Sequence, residues 1–277
     1  MLQQRLWRSM QLDARGIEAF FSVVGRTVSE AELRYYLHIL GQDLPLGRSL
    51  SFVAGPSQSQ YAQASRKWRR AIWIARVLRI FPWIRGVAIA NSLAMGSVKE
   101  ESDIDLFILC TPRRVWLARF VVVALLRVLR LRPGEATRDP VCPSFFVTPE
   151  AYDLQTIAIE DDVYLRFWLA TLAPVWEVDG EFTRFFAANT WAVRRDVAVL
   201  VGPPSVGVRC ARSVLNVVSS GHLDQWMRRL QMRILPQLIR EKALRDDRGV
   251  ILTDSMLKFH EEDGRVTYRD AWKKALC

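Results

Sequence analysis

The hydrophobic positions in the middle of the chain fall into short runs, separated by turns and by longer amphipathic stretches. Three runs are apolar, contain β-branched or aromatic residues and are bounded by turn residues, as is typical of buried strands: Val87–Ala90, Leu106–Leu109 and Val141–Val147. A short helix is predicted at Leu93–Met95, and Val115–Leu131 repeats its apolar residues at helical spacing. This order of strands and helices indicates an α/β or α+β sheet with helices packed against it. Of these two, we expect the α+β class, with a small mixed β-sheet.

The segments on both sides of this region are predicted to be mainly helical. A capping pattern followed by apolar residues at helical spacing predicts a helix from Ser29 to Leu40, and a turn and a short apolar run after it indicate a winged-helix-like module. Long helices are predicted at Gln60–Ile80 and around Val214–Leu244. We therefore expect three regions: a mainly helical N-terminal region at 1–84, a core at 85–155 and a helical C-terminal region at 156–277.

Two acidic residues stand at the start of the second predicted strand. Successive side chains of a strand face opposite sides, so Asp103 and Asp105 project together while Ile104 points the other way. Adjacent carboxylates repel each other and are costly to hold at a strand end without a cation. Since Mg²⁺ binds through one or two carboxylates plus substrate phosphates, this pair is the candidate metal and catalytic site.

A candidate phosphate site lies on the turn before this pair. Asn91 and Ser92 follow the first strand and precede the short helix, which is closed by Gly96. A helix N-terminus offers backbone N–H groups and positive partial charge to a phosphate, and Lys99 adds a charge nearby. A phosphate site next to a metal-binding pair is the layout that phosphoryl or nucleotidyl transfer needs.

Together, these two motifs resemble the signature of the DNA polymerase β-like nucleotidyltransferase superfamily, a Gly-Ser turn followed by Asp-x-Asp on the next strand. In this chain Ser92 precedes Asp103 by 103 − 92 = 11 positions. Asn189-x-Trp191 and Leu257–His260 also resemble parts of bacterial proteins with nucleotidyltransferase-like domains. The resemblance implies a nucleotidyltransferase core that binds an NTP and two Mg²⁺ ions at the Asp pair. It also implies transfer of a nucleoside monophosphate to a hydroxyl of an unknown acceptor.

The chain departs from the superfamily pattern at three positions. Asn91 stands where glycine is usual, and asparagine is among the few other residues that accept a positive φ. Met95 stands where a basic residue is common. The third carboxylate usually comes from the next strand, where this chain has the neutral Ser144; Asp139 could substitute for it only if the backbone bends towards the metal. The alternative function is therefore a module with weak or no catalysis that binds a nucleotide, RNA or a protein partner.

The chain is strongly basic, with a net charge of +10 and a pI of about 9.9. A positive field fits polyanionic partners such as nucleotides, nucleic acid or an anionic membrane surface. The helix Gln60–Ile80 carries five arginines, with Trp68 and Trp73 among them, a composition found in nucleic-acid-binding proteins. The favoured interpretation is a solvated basic face whose tryptophans enter the core.

Lys258, His260, Asp263 and Arg265 lie close together near the C-terminal end of the sequence. In a functional interpretation, Lys258 and Arg265 meet a phosphate and His260 moves a proton. The alternative is a solvated strand or turn with charged faces.

The most apolar stretch is too short to be a membrane span. Arg119 and Arg127 leave only Phe120–Leu126 uninterrupted, whereas a span needs ~20 residues. We expect this helix to pack on the sheet, with attachment to a membrane surface as the less favoured alternative.

The N-terminal residues lack the apolar core of a signal peptide, and the four cysteines lack zinc-site spacing, so a cytoplasmic protein is expected.

Overall fold

The computed structural model describes residues 32, 33, 36, 58–218, 221–245, 248–260 and 263–276. In that part of the chain the helices are α1 Gln58–Leu78, α2 Asn91–Ala94, α3 Val115–Val128, α4 Val163–Thr171, α5 Glu181–Ala188, α6 Val206–Val218, α7 Gly221–Ile234, α8 Gln237–Leu244 and α9 Arg265–Leu276. The strands are β1 Ile84–Ile89, β2 Ile104–Cys110, β3 Val141–Val147, β4 Ala173–Glu177, β5 Val250–Leu252 and β6 Met256–Phe259.

These strands form a six-stranded mixed sheet in the order β4-β1-β2-β3-β6-β5. β2 and β3 run parallel, whereas the other neighbouring strands run antiparallel. Helix α3 connects the parallel pair, since parallel neighbours require a crossover connection. The predicted α+β class with a mixed sheet is therefore confirmed.

The alternation of side chains along β2 divides the core into two layers. Ile104 and Ile108 belong to the cluster that contains the buried residues of α1 and α3. Phe107 and Leu109 belong to the cluster that contains the buried residues of α4 and α5. Because Asp105 is two residues from Phe107, its side chain starts from the face of the sheet that α4 covers.

Two prolines lie in strands, each at an irregular place in the ladder. Pro143 lies at a register shift between β2 and β3, outside the part of β3 that pairs with β6. This shift leaves the next residue, Ser144, without a partner residue on β2. Pro174 lies on the edge strand β4, also at a register shift. Both positions tolerate the missing N–H of proline.

The long helix predicted around Val214–Leu244 is instead divided among α6, α7 and α8. Pro236 separates the last two of these helices, because it lacks an N–H for the preceding helix and forms the N-cap of the next. The segment 156–277 also contributes β4, β5 and β6, so the sheet extends beyond the region 85–155.

Most of the N-terminal region, including the predicted winged-helix-like module, lies outside the described residues. Of the predicted helix from Ser29 to Leu40, the described Leu33 and Tyr36 are helical and buried. The ring of Tyr36 meets that of Phe167 edge-on, with 6.0 Å between centroids. These positions agree with the amphipathic pattern of that helix.

Helix α3 packs on the sheet and on α7. Asp224 of α7 accepts a hydrogen bond from the backbone N–H of Leu117 at 2.8 Å, which caps the N-terminus of α3 from another helix. Arg119 donates to Gln231, and its guanidinium lies 4.4 Å from the ring centre of Phe259. Among the described helices, none is both long enough and apolar enough to cross a membrane.

Candidate active site

The two carboxylates of β2 lie where this strand begins, beside the turn from β1 into α2. Asp103 immediately precedes β2 and Asp105 lies within it, and both are partly exposed. The backbone N–H of Ala90 donates to the carbonyl of Asp105 at 3.0 Å, which ties the end of β1 to the start of β2. The negative charge of Asp103 also acts on Asp105. The structure therefore brings the predicted pair together at one edge of the sheet.

Burial dominates the electrostatics of this pair. It raises the pKa of Asp105 to about 6, with a further increase from the charge of Asp103, whereas hydrogen bonds to Asn91 and Ser144 lower it. Burial also raises the pKa of Asp103, and the positive charge of Lys67 opposes that rise. Both groups bind protons more readily than in water, so a bound cation would favour their ionised forms.

Asn91 connects this pair to the rest of the site. Its backbone has a φ of 52°, the left-handed conformation that asparagine accepts. Its side-chain oxygen accepts hydrogen bonds from Trp168 Nε1 at 2.9 Å and from the Tyr164 hydroxyl at 3.4 Å. Its side-chain nitrogen lies 3.4 Å from His260 Nε2 and also donates a hydrogen bond to the Asp105 carboxylate. Asn91 thus links the Asp105 carboxylate to α4 and to the residue after β6.

The other residues of the predicted phosphate site follow on α2 and the turn after it. Ser92 is half-buried, and its carbonyl accepts a hydrogen bond from the N–H of Ser97 at 2.9 Å. Gly96 ends this turn with a φ of 72°. Lys99 has an exposed side chain, and its N–H donates to Ser102 Oγ at 3.2 Å. Helix α2 packs against β2, so this turn lies beside the carboxylate pair.

A lysine of α1 with no exposed surface holds the loop before Asp103. The Nζ of Lys67 donates to the carbonyl oxygens of Lys99 and Glu100, each at 3.0 Å, and to the carbonyl of Ser102. The side chain is fully buried. An ammonium surrounded by three carbonyl oxygens acts as an internal cation, and these bonds fix the backbone that leads into the Asp pair.

The Asp139 carboxylate forms ion pairs with two cations of α1. Burial alone would raise its pKa, but hydrogen bonds from Arg66 and the charges of Arg66 and Lys67 lower it overall. The distances are 3.0 Å from Arg66 Nη2 to Asp139 Oδ1 and 3.6 Å from Lys67 Nζ to the same oxygen.

Throughout the described ranges, no group of three or more His, Cys, Asp or Glu residues could hold a metal ion.

Ser144 lies beside Asp105 on the neighbouring strand. It is 3% exposed and stands at the register shift of β3, and its hydroxyl hydrogen-bonds with the Asp105 carboxylate. A neutral hydroxyl thus occupies the place where the superfamily resemblance implies a third carboxylate.

The basic residues near the C-terminal end make internal contacts. Lys258 is buried, and its Nζ donates to the carbonyl of Arg248 at 2.7 Å. Arg265 forms ion pairs with Asp162 at 3.1 Å and with Asp263 at 2.6 Å. These two cations therefore connect the last strand and helix to the body of the protein.

His260 reaches the centre of the site through its contact with Asn91. Burial lowers the pKa of His260 to about 4, and the charge of Lys258 acts in the same direction. The imidazole is therefore neutral at pH 7, with Nε2 as the acceptor facing the Asn91 amide. Its Nδ1 is buried and has no hydrogen-bond partner among the described residues.

The basic residues of α1 divide into two groups. One group contacts the loop at 99–102 and the segment at 138–139: Arg66, Lys67 and Arg70. The other group is exposed together with a tryptophan: Arg69, Trp73 and Arg76. Only the second group is available to a nucleic acid along this helix.

Three residues of the site were not expected from the sequence: Lys67, Tyr164 and Trp168. The burial of Lys67 could have been predicted from helical spacing. It precedes Ala71 by four residues and Ile74 by seven, on the buried face of α1. Tyr164 and Trp168 have the spacing of ordinary core aromatics, and no local pattern marks them as partners of the site.

No protein-family model, curated protein or solved structure matches this chain.

Proposed function

We propose that this protein is a Mg²⁺-dependent nucleotidyltransferase that transfers a nucleoside monophosphate from an NTP to a hydroxyl of an acceptor. The observation that carries this proposal is the pair Asp103 and Asp105, held together at the start of β2 beside the α2 turn. Burial raises both pKa values, so ionised carboxylates at this place are stabilised by a cation. The likeness of the two motifs to the polymerase β-like signature supports the same activity.

The donor groups fit one Mg²⁺ ion. Asp103 and Asp105 are the two carboxylates that Mg²⁺ commonly uses together with substrate phosphates, and the Ser144 hydroxyl lies beside them. A second ion would need another carboxylate, and Asp139 is already paired with cations of α1. When bound, Mg²⁺ supplies Lewis-acid stabilisation of phosphoryl oxygens.

The surrounding residues hold this site in place. Asn91 fixes Asp105 through its side-chain nitrogen, and Lys67 fixes the loop that carries Asp103. Ser92 lies in the first turn of α2, where backbone N–H groups suit a phosphate, and Lys99 adds a solvent-exposed positive charge. A cytoplasmic location, where NTPs are available, accompanies this proposal.

The test combines metal binding with product labelling. Mn²⁺ binding is measured by electron paramagnetic resonance, and each α-³²P-labelled NTP is incubated with Mg²⁺, the protein and a cell extract as the source of acceptor. We expect Asp103→Asn and Asp105→Asn each to weaken Mn²⁺ binding at least about tenfold and to abolish labelling. Glu101→Gln changes an exposed acid in the same loop and is the matched control. Unchanged labelling in both Asp variants would contradict the proposal.

A binding module without catalysis is the second candidate, because Ser144 replaces the third carboxylate. Its RNA partner would use the exposed Arg69, Trp73 and Arg76 of α1, since cations and aromatic rings bind single-stranded nucleic acid together. RNA affinity measured against salt gives a logarithmic slope of about 0.7 for each neutralised phosphate. Binding that survives loss of the Asp pair, falls in the Arg69→Gln/Arg76→Gln variant and comes without labelling favours this function.

A further inference from the structure

A cavity of about 280 Å³ lies between α4, α9 and the residues that follow β6. Four aromatic rings line it: Phe145, Tyr164, Trp168 and Tyr268. The polar part of the wall includes the imidazole of His260. We call this cavity the ring pocket. Its volume lies just below the range of pockets that hold drug-sized ligands, about 300–1,000 Å³, so it suits one ring system.

One side chain separates the ring pocket from the carboxylate pair. Trp168 and Tyr164 of the pocket wall donate to the Asn91 oxygen, and His260 meets its nitrogen. That nitrogen also donates a hydrogen bond to the Asp105 carboxylate. The charge of Asp105 in turn raises the pKa of the Tyr164 hydroxyl, in addition to the larger effect of burial. A ligand in the ring pocket therefore lies next to a ligand bound at Asp103 and Asp105.

The charged side chains along the wall already have partners within the protein. Arg265 is paired with Asp162 and Asp263, and Lys258 donates to a backbone carbonyl. The imidazole of His260 is neutral at pH 7, because burial lowers its pKa to about 4. The pocket thus matches an uncharged planar group.

We propose that the ring pocket binds the base of the nucleotide whose phosphates lie at the Asp103/Asp105 pair. This inference rests on the proposed function, because it assigns a second part of the same substrate. A nucleobase is planar and uncharged, and every base has a face that packs on aromatic rings. Tyr164 and Tyr268, whose ring centres are 4.8 Å apart, form the aromatic wall contributed by α4 and α9.

The test separates the two parts of the substrate. Adenosine, guanosine, cytidine and uridine, without metal, probe the ring pocket, and inorganic tripolyphosphate with Mg²⁺ probes the Asp pair. Binding of each to the full chain is measured by calorimetry and by saturation-transfer NMR. Tyr268→Ala removes one wall of the pocket, and Gly264→Leu adds bulk at an exposed position of its rim. Val266→Ala, at an exposed position of α9 outside the pocket wall, is the matched control.

We expect at least one nucleoside to bind, and Tyr268→Ala to weaken this binding on the order of tenfold while tripolyphosphate binds as before. We expect Gly264→Leu to weaken nucleoside binding without removing any contact. This variant therefore tests binding in the ring pocket even if Tyr268→Ala does not fold. Absence of nucleoside binding to the unmodified protein overturns the inference, as does binding that both variants leave unchanged. If nucleosides bind as expected but Mg²⁺-tripolyphosphate does not, the proposed function fails and the ring pocket stands.

Discussion

The Nζ of Lys67 lies 3.6 Å from Asp139 Oδ1, and neither side chain has any exposed surface. The same ammonium binds the three carbonyl oxygens of the loop that precedes Asp103. A helix whose sequence predicted mainly a solvated basic face thus supplies the internal cation of the candidate active site. This relationship makes α1 part of the site.

We expect Lys67→Met to lower the free energy of unfolding by about 3–5 kcal/mol, because it leaves the buried Asp139 carboxylate without one of its cations and three carbonyls without a donor. Urea denaturation measures this loss, and hydrogen exchange at residues 99–105 should become faster. Arg69→Met, at an exposed position of the same helix, should change stability by less than about 0.5 kcal/mol. Equal effects of the two substitutions would show that Lys67 has no special role.

The side chain and the backbone of Asn91 can be separated by Asn91→Gly. Glycine keeps the left-handed conformation at a φ of 52° but removes the hydrogen bond that lowers the pKa of Asp105. We expect the pKa of Asp105 to rise further above its value of about 6, as measured by ¹³C NMR titration of the carboxyl group. A pKa that stays the same or falls would contradict the assigned role of the amide.

Asp105→Asn should stabilise the metal-free protein at pH 7. The pKa of Asp105 is higher in the folded state than its ordinary value of 3.8, so the folded state binds more protons and stability falls as pH rises from about 4 to 6. The neutral asparagine avoids this loss, which amounts to roughly 1–3 kcal/mol. Thermal melting should show the largest gain above pH 6 and little gain below pH 4.

Added Mg²⁺ provides the control for that prediction. Since a ligand of the folded state stabilises by mass action, Mg²⁺ should raise the melting temperature of the unmodified protein at pH 7 and leave that of Asp105→Asn unchanged. Glu101→Gln should respond to Mg²⁺ like the unmodified protein. Equal responses of the protein and of Asp105→Asn would remove Asp105 from the metal site.

The cap that Asp224 provides to α3 can be tested away from the site. Burial raises the pKa of Asp224 to about 6, and its carboxylate accepts from the N–H groups of Leu117 and Trp116. Asp224→Ala should cost about 1–2 kcal/mol by chemical denaturation, whereas Asp224→Asn keeps an accepting oxygen and should cost less. Gln225→Ala, at the next and exposed position, should be neutral. Equal losses for Ala and Asn would argue against capping.

The pattern of hydrophobic residues was enough to place the centre of the fold. The predicted strand Val141–Val147 coincides with β3, and the predicted helix from Val115 begins where α3 begins. Strand alternation also placed Asp103 and Asp105 on one side, because side-chain direction along a strand depends only on local geometry. Asn91 was likewise expected to accept a positive φ from its residue type alone.

The partners of these residues were decided by the tertiary structure. Asn91 contacts Tyr164, Trp168 and His260, which are 73, 77 and 169 residues away in sequence. The added strands β4, β5 and β6 and the internal use of Lys67 depend on packing between distant segments in the same way. Periodicity reports which face of an element is buried, but it does not report what that face meets. The sequence therefore determined where the carboxylate pair lies, and only the folded chain decided which cation, amide and imidazole surround it.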